Sequence, residues 1–393
     1  MGSMSDGRWF IDDDDRYARL RLIGWWDQGK LRRAKVLVVG AGALGNEVLK
    51  NLALVGVGHV WLCDFDRVEP DNLARSVLFR ASDRGRPKAE VAAESLRGLN
   101  ADTRVEPIVG DVITDVGLGL FRDADVVIGC LDNREARLWV NRCCWKTMTP
   151  WVDGGIQEIN GVVKVFVPPF SACYECAMTD NDYRLIQLRY SCPMLRREEM
   201  QAGKVPTAPT IASIIGGWQV QEALKLIHGL DVPAGEAIVL NGVANQFYRT
   251  KLPFRDDCLS HETYDEIREV DLSNEATADE LFRAVGAVEL EPAPRLRLDR
   301  DLVTAIACAP CGFRKDVLGT AYRVPREWTE CPRCGKGARP ELVHEVTGGS
   351  ALARRRLADL GVPPYDIVRV VVNGRERHVV LAADQGNRGE RGR

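Results

Sequence analysis

The chain has 393 residues, with 53 Lys and Arg against 56 Asp and Glu and a net charge of −3. That length allows two or three domains, and the charge supplies neither a basic field for nucleic acid nor a polybasic membrane patch. No apolar run reaches the roughly 18 residues of a spanning helix, and MGSMSDGRWF carries no signal-peptide pattern, so a cytoplasmic protein is expected. Met1-Gly2-Ser3 reads as a cloning remnant before Met4, which discounts the myristoylation-like start.

Residues 1–33 form an N-terminal helical segment: an acidic run, Asp12 to Asp15, then an amphipathic helix from Arg16 through Trp25. From Ala34 to about residue 155, strand and helix alternate. Strands are expected at 35–39, 59–63, 104–109, 125–130 and 151–153, and helices near 43–55, 87–98 and 134–147. Such alternation predicts an α/β fold, a mostly parallel Rossmann-like sheet with helices on both faces. A β-rich continuation follows, with a strand in GVVKVFVP (161–168), an apolar helix from Thr210 to Gly229 and a strand at 236–241. An adenylation-size domain over 34–262 would leave 263–302 as a charged, Pro-interrupted connector with one helix near 277–285. After it come a cysteine-rich segment, 303–345, and a small α+β module, 346–384. That module holds a hairpin, Ile367 to Val372 and His378 to Leu381, turning at Asn373-Gly374. The tail 385–393 is polar and reads as disordered.

Val36 to Val39 runs into Gly40-Ala41-Gly42-Ala43-Leu44-Gly45, then a helical pattern, then a second strand ending in Asp64 and Asp66. This is the first half of a nucleotide-binding βαβ unit: glycines admit a phosphate to the backbone, and the helix N-terminus adds positive potential. Asp64 stands where a carboxylate accepts from a ribose hydroxyl. Arg75, close behind Asn72, and Lys88 can both reach the phosphate end, a second set of cations that a triphosphate needs and a nicotinamide dinucleotide does not. Asp132 closes the strand ADVVIGCLDN, where parallel strands bind ligands, and could hold Mg²⁺. The site therefore reads as Mg·ATP, with a NAD-binding oxidoreductase as the less favoured class. Cys173/Cys176, Cys308/Cys311 and Cys331/Cys334 are three C-x-x-C pairs, which without a secretion signal read as zinc ligands. The last two pairs have the spacing of a zinc ribbon, with Gly312 and Gly335 relieving the knuckle turns. Cys63, Cys130, Cys143 and Cys144 read as small buried hydrophobes.

Residues 16–250 resemble the ThiF/MoeB-type adenylating enzymes, the superfamily that includes ubiquitin-activating enzymes. The resemblance rests on Arg16-Tyr-x-Arg19, Gly40-x-Gly42-x-x-Gly45 and Asp64-Phe-Asp66. It continues through Asn72-Leu-x-Arg75, Gly85-x-Pro87-Lys88, Leu131-Asp132-Asn133, Cys173-x-x-Cys176 and the helix Gly216 to Ile227. It implies ATP-dependent adenylation of the C-terminal glycine of a ubiquitin-like protein. Asp64 would hold the ribose, Asn72, Arg75 and Lys88 the phosphates, Asp132 the Mg²⁺, and Arg19 would reach the partner's site in a homodimer. The family closes its first zinc site with a second C-x-x-C; here the position reads Cys258-Leu-Ser-His261, so Cys173, Cys176, Cys258 and His261 are the expected set. With the ribbon this makes about two zincs per chain. The family's crossover loop falls near 178–208, and Cys192 within it is the candidate thioester cysteine, flanked by Arg189, Arg196 and Arg197 that favour a thiolate. The implied function is activation of a ubiquitin-like protein, possession of the thioester on Cys192 and transfer to a conjugating enzyme, in the manner of a bacterial conjugation system. The alternatives are a sulfur-carrier adenylyltransferase for thiamine, molybdopterin or cysteine synthesis, and a scaffold without activity.

Overall fold

A computed structural model describes residues 14–184, 206–287, 290–324, 328 and 330–386, with a short backbone pairing of 4–5 and 8–9 before them. Cys192 and residues 387–393 lie outside the described residues. The chain divides into two compact units. One comprises 1–112, 123–178 and 205–262; the other comprises 113–122, 179–204 and 263–393.

The first unit is built on an eight-stranded sheet. Its strands are β1 (Lys35–Val39), β2 (His59–Asp64), β3 (Arg104–Val109), β4 (Val126–Gly129), β5 (Trp151–Gln157), β6 (Asn160–Phe166), β7 (Glu236–Asn241) and β8 (Gln246–Lys251). They lie in the order β8-β7-β6-β5-β4-β1-β2-β3. The strands from β5 to β3 are parallel, while β6, β7 and β8 add antiparallel pairs. Valine and leucine runs fill β1, β2 and β4 because helices cover both faces of a parallel sheet. The covering helices include α2 (Ala43–Leu54), α3 (Lys88–Leu99), α4 (Arg134–Lys146) and α5 (Pro209–His228). Gly216 of α5 admits α2: a Cβ there would sit 2.8 Å from the Glu47 side chain. β1 lies between β2 and β4, so the chain reverses direction across the sheet beside it, the crevice where doubly wound folds bind ligands.

The expected helix from Arg16 through Trp25 does not form. A single 3₁₀ turn, Leu20–Leu22, ends at extended Ile23, and α1 (Gln28–Arg33) starts where the Asp27 carboxylate accepts from the N–H groups of Gly29 and Lys30. Tertiary contacts override the local pattern here. Tyr17 is buried, its hydroxyl bonded to Asp102 and Asn100, and Trp25 and Trp26 pack on His228.

The second unit holds a six-stranded sheet of β9 (Ile267–Val270), β10 (Arg295–Cys308), β11 (Phe313–Thr320), β12 (Arg339–Thr347), β13 (Ile367–Val372) and β14 (Arg375–Leu381). The order is β9-β14-β13-β10-β11, with β12 along the other edge of β10. Residues 263–302, read from sequence as a connector with one helix, supply two of these strands besides α6 (Ala278–Ala284). α6 opens on a capping box between Thr277 and Glu280. The fourteen residues of β10 run through the expected boundary at 302, pairing first with β13 and then with β11. The cysteine-rich segment and the module after it therefore share one sheet. The 373–374 turn has positive φ at both Asn373 (51°) and Gly374 (75°), as the two-residue hairpin requires. Residues 113–122 are tied into this unit by Arg300, whose guanidinium donates to the carbonyls of Ile113 and Val116 and to Asp366 at 3.0 Å. Asp366 in turn accepts from Leu118 N–H at 2.7 Å.

Candidate nucleotide and metal sites

The glycine turn sits where β1 meets its two neighbours: Gly40 N–H donates to Cys63 O and Cys130 N–H to Val39 O, both at 2.8 Å. Each glycine has a distinct role. Gly40 has φ +102°, and a Cβ on it would lie 2.4 Å from Cys130 O; a Cβ on Gly45 would lie 2.0 Å from Gly40 O. Those two are needed by the fold. A Cβ on Gly42 would meet no atom within 4 Å, and Gly42 is the N-cap of α2 without a capping side chain. The N-terminal N–H groups of a twelve-residue helix thus open onto free space, the arrangement that accepts a phosphate.

A continuous chain of bonds joins this turn to α3. Asp64 accepts from Ala41 N–H and Asp66 N–H, each at 2.7 Å. Asp66 accepts from Lys88 twice, at its carbonyl (2.9 Å, backbone N–H) and at its carboxylate (3.0 Å, Nζ). Burial pushes the Asp64 carboxyl up, opposed by the Lys88 charge and the Ala41 N–H. Gly40, Gly42, Gly45, Asp64, Asp66 and Lys88 are thereby brought together. Asn72 is buried but turned to local work: its Oδ1 accepts from Glu69 N–H at 3.0 Å, and Arg75 lies 3.5 Å from Asp71. Asp132 is exposed just past β4, 3.3 Å from Asn133 Nδ2. Arg19, exposed on the 3₁₀ segment, stands outside the network.

Three residues that position the turn were missed in the sequence reading. Asn46 is fully buried and donates to Ala41 O and Gly42 O, while its Oδ1 accepts from Leu78 N–H. Gln219, fully buried on α5, donates to Gly129 O and Val152 O. Arg137 donates to Leu131 O, Gly154 O and Asp153, fixing the backbone before Asp132. The signal was available: Asn46 and Gln219 are polar residues within apolar helical runs, and such residues, when buried, must find partners.

Two groups of side chains could hold a metal ion: Cys173, Cys176, Cys258 and His261, and Cys308, Cys311, Cys331 and Cys334. Within each group the ligand atoms all lie within 4.8 Å of one another. In the first, Cys173 Sγ is 3.6 Å from Cys258 Sγ and Cys176 Sγ is 3.3 Å from His261 Nε2; Trp145 stacks on the imidazole at 3.9 Å. In the second, Gly312 N–H and Gly335 N–H each reach back to the leading cysteine carbonyl at 2.9 Å, with φ of +68° at both glycines. Four soft donors at this spacing fit tetrahedral zinc. Among the described residues no helix is long and apolar enough to cross a membrane.

The model of the ThiF family matches residues 15–260. The chain belongs to the ThiF family. The sulfur carrier protein adenylyltransferase of Thermus thermophilus is 33% identical over 255 residues, covering 61% of this chain and 88% of that protein. The SAMP-activating enzyme E1 of Haloferax volcanii is 34% identical over 233 residues, 57% of this chain and 78% of the relative. Among solved structures, Escherichia coli MccB with ATP superposes with a TM-score of 0.53 at 25% identity, covering 63% of this chain and 74% of that one. The ThiF-family span thus includes the glycine turn, Asp132 and three ligands of the first metal group, and it stops before the second group.

Proposed function

We propose that this protein uses Mg·ATP to adenylate the C-terminal carboxylate of a ubiquitin-like protein ending in glycine. The observation that carries the reading is the open N-terminus of α2 at Gly42, coupled through Asp64 and Asp66 to Lys88, inside a ThiF-family segment. The names of the relatives support it: one acts on a sulfur carrier, one activates a SAMP, and MccB has been crystallised with ATP.

In this reading Asp64 receives the ribose, the α2 N–H groups, Arg75 and Lys88 face the phosphates, and Asn72 holds the loop between them. Asp132 is the magnesium ligand, the ion supplying charge neutralisation. The partner's carboxylate oxygen attacks the α-phosphorus. A new O–P bond forms, the bond to the β-phosphate oxygen breaks, and pyrophosphate leaves with the electron pair. The nucleophile is already ionised, so the protein's task is to align two anions and offset their repulsion. Cys192 is the proposed acceptor for the next step, its thiolate attacking the acyl carbon and releasing AMP, before transfer to a conjugating enzyme. Arg19 is proposed to serve the second site of a homodimer. Both cysteine groups are proposed to bind structural zinc.

The test is ATP–pyrophosphate exchange with candidate partners. Exchange that requires both Mg²⁺ and a partner ending in glycine supports the reading; exchange indifferent to the partner, or binding of NAD in place of ATP, overturns it. Intact mass without reductant then reads the thioester, which Cys192→Ala removes. A second reading, a sulfur-carrier adenylyltransferase, is favoured by the Thermus relative and differs in its product: a thiocarboxylate on the carrier rather than a conjugate.

A further inference from the structure

The second unit carries a cavity that neither the nucleotide site nor the cysteine groups use. It encloses about 240 Å³, with apolar walls from Val303, Val317, Val324 and Trp328. Thr320 also lines it; the residue is 4% exposed, and its hydroxyl has no hydrogen-bond partner among the described residues. Packing does not require that hydroxyl. A Cβ on Gly361 would fall 2.3 Å from Thr320 Cγ2, so the methyl group of Thr320 fits against the 361 turn, and valine would supply the same shape. A buried donor without a partner is costly to keep, and here it borders a space large enough to bring one.

Charge defines the visitor. The ionised groups at the rim are already matched, Arg323 with Asp115 and Asp359 with Arg356 at 2.7 Å, so the interior suits a neutral, apolar group. The surrounding surface is basic: residues 303–339 contain seven Lys and Arg against three Asp and Glu. Lys315 Nζ lies 4.9 Å over the Trp328 ring at the cavity wall, and Lys336 and Arg339 are exposed on the same segment. A cavity of roughly 150 Å³ takes benzene, so this one has room for a phenylalanine or leucine side chain.

We propose that this cavity docks an extended acidic peptide segment of a partner protein. One large apolar side chain enters between Val317 and Trp328, a peptide carbonyl accepts from the Thr320 hydroxyl, and flanking Asp or Glu residues face Lys315. The inference stands apart from the adenylation reading, because every residue it uses lies outside the ThiF-family span.

The experiment uses the full-length, zinc-replete protein and three fluorescein-labelled heptapeptides followed by polarisation: acidic with a central phenylalanine, acidic with a central alanine, and the phenylalanine peptide with lysine flanks. The acidic phenylalanine peptide should bind at least about tenfold more tightly than either other peptide. Thr320→Val should weaken it roughly five- to tenfold, the effect of one lost hydrogen bond. Lys315→Glu, a surface change with no burden on folding, should weaken it and make binding less sensitive to salt. Equal affinity for the phenylalanine and alanine peptides, or full binding by both variants, overturns the proposal. So does a change of oligomeric state in Val317→Asp without peptide binding by the unmodified protein, which would mark the cavity as covered by a second copy.

Discussion

At the scale of single residues, the glycine turn separates fold from function. Gly45→Ala must push Gly40 O away from 2.0 Å, so thermal melting should fall by several degrees. Gly42→Ala meets nothing, so the melting temperature should hold while the KM for ATP rises at least about tenfold, because the methyl group occupies the space proposed for phosphate. Equal KM values for Gly42→Ala and the unmodified enzyme would remove the phosphate from that space. Asp64 gives a pH signature. Its folded pKa is raised by burial, so between the unfolded and folded values the native state holds the extra proton, and its contribution to stability declines as pH rises through that window. Asp64→Asn should flatten that part of the urea-denaturation profile from about pH 4 upward, and it should also weaken ATP binding. Asp132→Ala, at an exposed side chain, should leave melting unchanged and abolish pyrophosphate exchange; retained exchange would take the magnesium role from Asp132.

Elements show where periodicity suffices and where it does not. β1, α2, β2, α3 and α5 follow their apolar patterns to within a residue or two, since each pattern is long and each face is buried. The segment from Arg16 to Trp25 has a helical pattern too, yet Tyr17 and the two tryptophans obtain more from packing than a short isolated helix could supply. The cysteine knuckles were legible because their geometry is local: two cysteines, two residues between them and a glycine after. The closing pair Cys258 and His261 is 85 residues from Cys173 and Cys176 and rested on resemblance. Metal analysis should find about two zincs per chain, and Cys258→Ser and Cys334→Ser should each lower the content by about one. Loss of both zincs in either variant would mean that the sites are not independent.

For the whole molecule, the second unit is the larger surprise. A connector, a ribbon and a hairpin module were expected in series; β10 instead carries three partner strands, and residues 113–122 are bound to the same unit through Arg300 and Asp366. That ion pair is 4% and 3% exposed. Arg300→Met strands a buried carboxylate and two carbonyls and should cost about 3–5 kcal/mol in chemical denaturation. The double variant Arg300→Met/Asp366→Leu should recover only part of this, because Leu118 N–H and the carbonyls of Ile113 and Val116 stay unpaired. Full recovery would show that those backbone groups find other partners.

The sequence by itself determined the parallel sheet, the glycine turn, the acids after β2 and the identity of the eight cysteine and histidine ligands. Each of these follows from local spacing or from a strand and helix pattern. Only the tertiary structure decided which residues hold the turn in place, because Asn46, Arg137 and Gln219 act on backbone carbonyls whose positions depend on strand order. It alone revealed the shared sheet of the second unit, since strand pairing joins residues such as Arg295 and Val371 that no local pattern links. The unsatisfied hydroxyl of Thr320 has the same origin: a side chain's lack of a partner is a property of everything packed around it.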